Sequence, residues 1–261
     1  NHPSIIIWSN GNEGGWNKNL DKLFAVYDPQ KRHVIHPWAD FDELDTHHYP
    51  AYLTGVARFT NGYKLFMPTE FMHGMYDQGH GAGLEDFWNN YKSHPLFVGG
   101  FMWDFCDNAV KRVDKGGVLD SDGFNAPDGI LGPYREKEGS YYTVRDVWAP
   151  IQVERFFVTP SFDGRFFVTN DYLYTSLDSC RMTYALYKID SPLSGGKGRR
   201  TVMAEGEVKL PSLCPGERGI ATMALPENFF DADVLEMVAY HPDGREMVTR
   251  TSNVGSARDY W

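Results

Sequence analysis

Cysteine is scarce: Cys106, Cys180 and Cys214 are the only three in 261 residues. An odd number without close spacing argues against a disulfide framework and a thiolate zinc site. The bland expectation is three small buried side chains, with a Cys180–Cys214 bridge left open for an exported protein. Long apolar runs are missing too. Ile5-Ile6-Ile7-Trp8 is far short of the roughly 20 residues that span a bilayer, so no membrane partner is expected. Basic charge is in deficit, with 25 Lys and Arg against 35 Asp and Glu and a net charge of −10. Without a basic cluster the chain is a poor binder of phosphate backbones, and no nucleic-acid partner is expected. Repeats and low-complexity tracts are absent. So is an initiator methionine: the chain opens on Asn1 and reads as a piece of something longer. Aromatic residues are plentiful at 15%, which suits a large core or a surface that stacks sugars.

Two patterns divide the chain. Over the first 150 residues, short apolar runs alternate with helical spacing. Strands are expected at 4–9, 32–37, 43–49, 64–69 and 96–105, and helices at 16–27 and 84–91. The first and last strands are apolar on both faces, as in a parallel sheet, open or closed into a barrel. Residues 111–150 read as loop. After Pro150, seven short alternating runs punctuated by turns such as Asp163-Gly164 and Asp243-Gly244 suggest an immunoglobulin-like β-sandwich over 151–261. The stretch from Ser194 to Arg200 reads as an exposed hairpin loop.

Two glutamates sit where strands of the first part end: Glu13 after Trp8-Ser9-Asn10-Gly11-Asn12, and Glu70 after Met67-Pro68-Thr69. In a barrel, the C-terminal strand ends form the active face. Two carboxylates facing each other among tryptophans meet the requirement for glycoside hydrolysis, one as proton donor and one as nucleophile. By position alone, exposed strand-end charges explain them equally well. His47 and His48 are adjacent on one strand and so should face opposite sides, which with His80 disfavours a histidine metal site. Asp104, Asp107, Asp120 and Asp122 read as loop and cap carboxylates.

The wording of four segments goes further. Asn1 to Glu13 (NHPSIIIWSNGNE) resembles the acid/base signature of glycoside hydrolase family 2. Glu70 to Met75 (EFMHGM) resembles the nucleophile segment of that family's β-galactosidases. Gly99 to Phe105 (GGFMWDF) resembles their last barrel strand, and Asn125 to Ile130 (NAPDGI) the segment leaving the barrel. The resemblance implies the C-terminal part of a (β/α)8 TIM barrel over 1–150, and a retaining exo-β-glycosidase, a β-galactosidase before a β-mannosidase or β-glucuronidase. It makes Glu13 the general acid/base, which must hold a proton before attack, and Glu70 the nucleophile. It places Asn12 on the sugar 2-hydroxyl, Tyr49 on Glu70, His73 on a sugar hydroxyl, and Trp103 as the apolar floor. Many members bind magnesium beside the acid/base, so Glu13 is a candidate Mg2+ ligand in the longer parent; no other cofactor is implied, and Asn125 is not assigned to a cation.

The implied partner is a carbohydrate. About five of eight barrel strands are expected here, and their raw edges would flatten, be covered by loops, or pair with a second copy as a homo-oligomer. With substrate-orienting strands missing, the piece alone is expected to be nearly inactive. The competing class is a carbohydrate-binding module without catalysis.

Overall fold

The computed structural model describes residues 2–38, 40–41, 44–53, 62–73, 81–121 and 128–255. The chain divides into two compact units, 1–147 and 148–261. Among the described residues, no helix is long and apolar enough to cross a membrane, and Cys106, Cys180 and Cys214 are free thiols.

The first unit is a run of short strands laid side by side. β1 (Trp8–Ser9) leads through α1 (Asp21–Tyr27) to β2 (Val34–Ile35), which lies parallel to β1. β3 (Asp40–Phe41) folds back antiparallel on β4 (Leu44–Asp45), and β4 runs parallel to β5 (Leu65–Phe66). β6 (Phe71–His73) continues that segment and, beyond α2 (Leu84–Lys92), pairs in parallel with β7 (Met102–Trp103). The Trp38 amide donates to the Thr46 carbonyl at 3.1 Å and closes the gap between the second and third segments. Five consecutive strand segments thus follow one another in chain order. Two elements arise in the stretch expected to be loop: the hairpin β8 (Ala109–Arg112) with β9 (Val118–Ser121), and the helix α3 (Gly139–Val147).

α2 shows why its residues choose a helix. Leu84, Phe87, Trp88 and Tyr91 recur at helical spacing, Glu85 and Asp86 stand in the first turn, and Lys92 in the last, matching the helix dipole. The aromatic stripe packs on the strands. Phe66 meets Tyr91 edge-on at 5.2 Å, and Phe97 meets Trp88 and Tyr91 at 5.3 Å. Phe66→Ala should cost about 3–5 kcal/mol through the cavity it leaves. Denaturant unfolding followed by tryptophan fluorescence measures this, and Phe66→Leu should cost much less.

Other apolar faces are bare. Ile6 is 76% exposed and Tyr27 82%. No residue of α1 is buried, against the expected stripe of Leu20, Leu23, Phe24 and Tyr27. The two-sided burial expected of 4–9 and 96–105 is also not found, since Val98, Phe101 and Phe105 are exposed. Apolar spacing shows that a face wants a partner; here Phe24 finds one, the Trp8 ring at 5.9 Å between centroids.

Asp28, where α1 gives way to Pro29, fastens β1. Its buried carboxylate accepts from Trp8 Nε1 at 3.0 Å, from the Gln30 and Arg32 amides at 3.1 and 2.9 Å, and from Arg32 Nη1 at 2.7 Å. Burial works to raise its pKa, but the Arg32 amide, the Trp8 indole, the Gln30 amide and the Arg32 charge together hold it down at about 2. The ordinary value is 3.8, so this stabilisation is complete above about pH 4 and disappears as pH falls towards 2. Urea midpoints measured between those pH values should drop more steeply for the wild type than for Asp28→Asn.

In the second unit every pairing between named strands is antiparallel. β10 (Ile151–Val153), β11 (Arg165–Asn170), β12 (Arg181–Ile189), β13 (Arg200–Lys209), β14 (Arg218–Met223), β15 (Val234–Tyr240) and β16 (Glu246–Asn253) form one sheet in the order β10-β11-β14-β13-β12-β15-β16. Strict alternation supplies the core: Phe166 and Val168 from β11, Met182, Tyr184 and Leu186 from β12, Leu235, Met237 and Ala239 from β15. The expected immunoglobulin-like sandwich has two separately bonded sheets. Here β13 bonds to β12 along its length and to β14 at Val208 and Lys209 alone, so one narrow seam makes the two lobes a single sheet. The Asp163-Gly164 turn is tight: Gly164 has φ +81°, and a Cβ there would stand 2.3 Å from the Met223 carbonyl oxygen.

Candidate active site

Glu13 is carried by a turn that leaves β1. At Gly11, φ is +86° and a Cβ would lie 2.5 Å from the Gly15 carbonyl oxygen and 2.8 Å from Trp16 Cα, so only glycine lets the chain close so tightly. The Gly15 amide donates to the Asn12 carbonyl at 2.7 Å, which puts Glu13 at the tip. Asn10 braces the loop from inside. Its Nδ2 donates to the Asn17 carbonyl at 3.1 Å and to Asp21 Oδ1 at 2.8 Å, and Asp21 Oδ2 meets Nε2 of the buried His36 at 2.9 Å.

Glu70 stands opposite, just before β6. The Tyr49 amide donates to its carbonyl at 2.7 Å, and His48 bridges it in parallel register. Two side chains then grip its carboxylate. The Tyr49 hydroxyl donates to Oε1 at 2.8 Å, and His48 Nε2 lies against Oε2. Burial first, then the Glu70 carboxylate, pushes the Tyr49 hydroxyl well above its ordinary pKa, with smaller contributions from Asp128 and Glu13, so it remains a donor. Glu13 (φ 45°), Tyr49 (φ 41°) and Met72 (φ 50°) all adopt left-handed backbone without being glycine. Each costs about 1–2 kcal/mol, and such strain gathers where side chains must be aimed.

Oxygen and nitrogen atoms of Glu13, His48 and Glu70 come within 4.8 Å of one another. That bound, on one oxygen from each carboxylate, is compatible with the roughly 5–5.5 Å carboxyl separation of retaining glycosidases.

Of the residues singled out in the sequence, Glu13, Tyr49 and Glu70 meet at this point. Asn12 is beside them in the turn, with an exposed side chain. Trp103 is partly exposed on β7, its backbone opposite that of His73. The His73 side chain, His80, Asp122 and Asn125 lie outside the described residues. Asp107 accepts from the Gly129 amide at 2.9 Å and Asp120 pairs with Arg112 at 2.6 Å, as loop carboxylates do. His48, weighed in the sequence only as a metal ligand, is the residue whose place beside Glu70 was missed. Alternation would put it and Tyr49 on opposite faces, but the left-handed turn at Tyr49 brings both to one carboxylate.

The same stretch of chain matches the family model described as glycosyl hydrolases family 2, TIM barrel domain, over residues 1–122. Residues 1–122 are thus similar to the barrel domain of glycosyl hydrolase family 2. Relatives of this chain include a β-galactosidase of Actinobacillus pleuropneumoniae, 26% identical over 241 residues, covering 84% of this chain and 23% of that protein. One of Priestia megaterium is 25% identical over 210 residues, covering 72% of this chain and 20% of its own length. One of Enterobacter cloacae is 30% identical over 141 residues, covering 45% and 13%. The chain therefore spans about a quarter or less of these relatives. A solved exo-chitosanase, CsxA of Amycolatopsis orientalis, covers 98% of this chain and 37% of its own at 12% identity, with a TM-score of 0.38.

Magnesium is a poor match to the trio of Glu13, His48 and Glu70 taken as a ligand set. Mg2+ demands near-octahedral oxygen ligands. The trio offers one imidazole, and both Glu70 oxygens are already engaged by Tyr49 and His48.

Proposed function

We propose that the protein carrying this chain is a retaining exo-β-glycosidase acting on terminal β-galactosides. The observation that carries this is the close approach of Glu13 to Glu70 at the strand ends of a family 2 barrel segment. The β-galactosidase names of the relatives support the choice of sugar. In the first step a Glu70 carboxylate oxygen bonds to the anomeric carbon while the glycosidic bond breaks, and the Glu13 carboxyl gives its proton to the departing oxygen. In the second, Glu13 takes a proton from water, the water oxygen bonds to the anomeric carbon, and Glu70 leaves as carboxylate. Asn12 would serve the 2-hydroxyl, His73 a second hydroxyl, and Trp103 the apolar face of the ring. Tyr49 keeps the nucleophile aimed.

Proton NMR of an aryl β-galactoside reaction tests this. The first-formed sugar should be the β-anomer. An α-anomer overturns double displacement, and sugar binding without turnover by the intact protein would support a binding module instead.

A further inference from the structure

We propose that His48 is a positioning residue for Glu70: its imidazole holds Oε2 and, through it, sets the rate at which the glycosyl–Glu70 ester is broken. The inference rests on the assignment of Glu70 as nucleophile. His48 is 5% exposed, with its Nε2 against that carboxylate. Both ring nitrogens have close polar neighbours. Nε2 lies against Oε2, and Nδ1 lies 3.2 Å from Thr69 Oγ1, which is itself 3.1 Å from the Thr46 carbonyl oxygen. A hydroxyl has one hydrogen. With that hydrogen turned to Nδ1, the ring's own hydrogen sits on Nε2, a donor on the side of the carboxylate. The Tyr49 ring packs edge-on against the imidazole, 5.9 Å between centroids. The parallel bridge between His48 and Glu70 fixes the register of the two backbones.

Such a donor acts unequally on the two steps. It steadies a carboxylate more than an ester, so it favours the state in which Glu70 is ionised. When the bond between the anomeric carbon and Glu70 breaks, its electron pair returns to the carboxylate, and a fixed N–H on the other oxygen stabilises that developing charge. Without it, attack still occurs but release of Glu70 slows, and the covalent ester accumulates.

The test uses the intact protein and an aryl β-galactoside. His48→Phe should lower kcat on the order of 10²-fold, as loss of one preorganised donor does. KM should fall in parallel, and rapid-quench mass spectrometry should find the glycosyl ester as the main steady-state species. His48→Asn, which keeps an N–H, should recover part of kcat. Thr69→Val, which frees Nδ1 and leaves Glu70 untouched, should shift kcat and KM in the same direction by less, and it decides the matter if the Phe variant does not fold. Labelling with a 2-deoxy-2-fluoro-β-galactosyl fluoride separates the two levels. No label on Glu70 in the wild type overturns the nucleophile and this proposal together. A labelled wild type with kcat, KM and ester level unchanged in the variants, or with KM raised alone, overturns the role of His48 only.

Discussion

Glu70→Gly in the intact protein should cut turnover of an aryl β-galactoside by on the order of 10⁵-fold, about 7 kcal/mol of barrier at 1.36 kcal/mol per tenfold. The deletion removes the atom that forms the covalent bond, and nothing else among the described residues stands in its place: Tyr49 and His48 both offer donors to it, not electron pairs. Azide should then restore cleavage by entering the space the carboxylate leaves, and its product should be the α-galactosyl azide. The inverted azide is the decisive readout, because a merely misfolded variant yields none. Recovery of free β-galactose at the wild-type rate by Glu70→Gly would remove Glu70 from the mechanism.

Glu13→Gln should show a different signature. Its loss removes the proton that the leaving oxygen needs, a contribution of roughly 10²–10⁴-fold for general acid catalysis. Alkyl galactosides should suffer the whole loss. Dinitrophenyl galactoside, whose leaving group needs no proton, should react almost normally in the first step and then stall, since water also lacks its base. A burst of dinitrophenol equal to the enzyme concentration followed by slow turnover is the expected trace. Equal loss on both substrates would mean that Glu13 shapes the site and does not move a proton.

The residues that reached this site from sequence did so through phrases, not through periodicity. Glu13, Tyr49 and Glu70 could be named because the segments around them are worded as in a known family, whereas strand ends as such give no hint of which carboxylates will face each other. His48 escaped because the rule of alternation is a rule about regular strands, and Tyr49 at φ 41° is where this strand stops being regular. The second unit was legible for the opposite reason. Its strands have water on one side, and two-residue alternation in runs such as Arg165–Asn170 announces itself. The helix Gly139–Val147 was hidden behind a glycine, two tyrosines, a threonine and two valines, none of them strong helix formers, and is helical because Ser140 and Val144 find a place to be buried. The hairpin around Gly116-Gly117 was lost in a polar stretch with little apolar rhythm. Burial in the first unit misled most. Ile6, Tyr27 and Phe101 carry the spacing of buried faces without the cover, and spacing alone cannot say which part of a protein holds the other half of a contact.

The seam between β13 and β14 has a consequence for how this protein behaves in company. Because β13 meets β14 at its last two residues only, the backbone from Arg200 to Glu207 keeps one side without a strand partner among the described residues. Such a border is a template on which any loose extended peptide could add itself. Here the template is guarded at one end: Glu205 and Glu207 stand exposed on it two residues apart and Arg200 adds charge at its start, while Val202 and Met203 between them are exposed and apolar. A stranger docking along the whole border would have to bury those charges, a cost that the sheet's own hairpin, closed within one chain, does not meet.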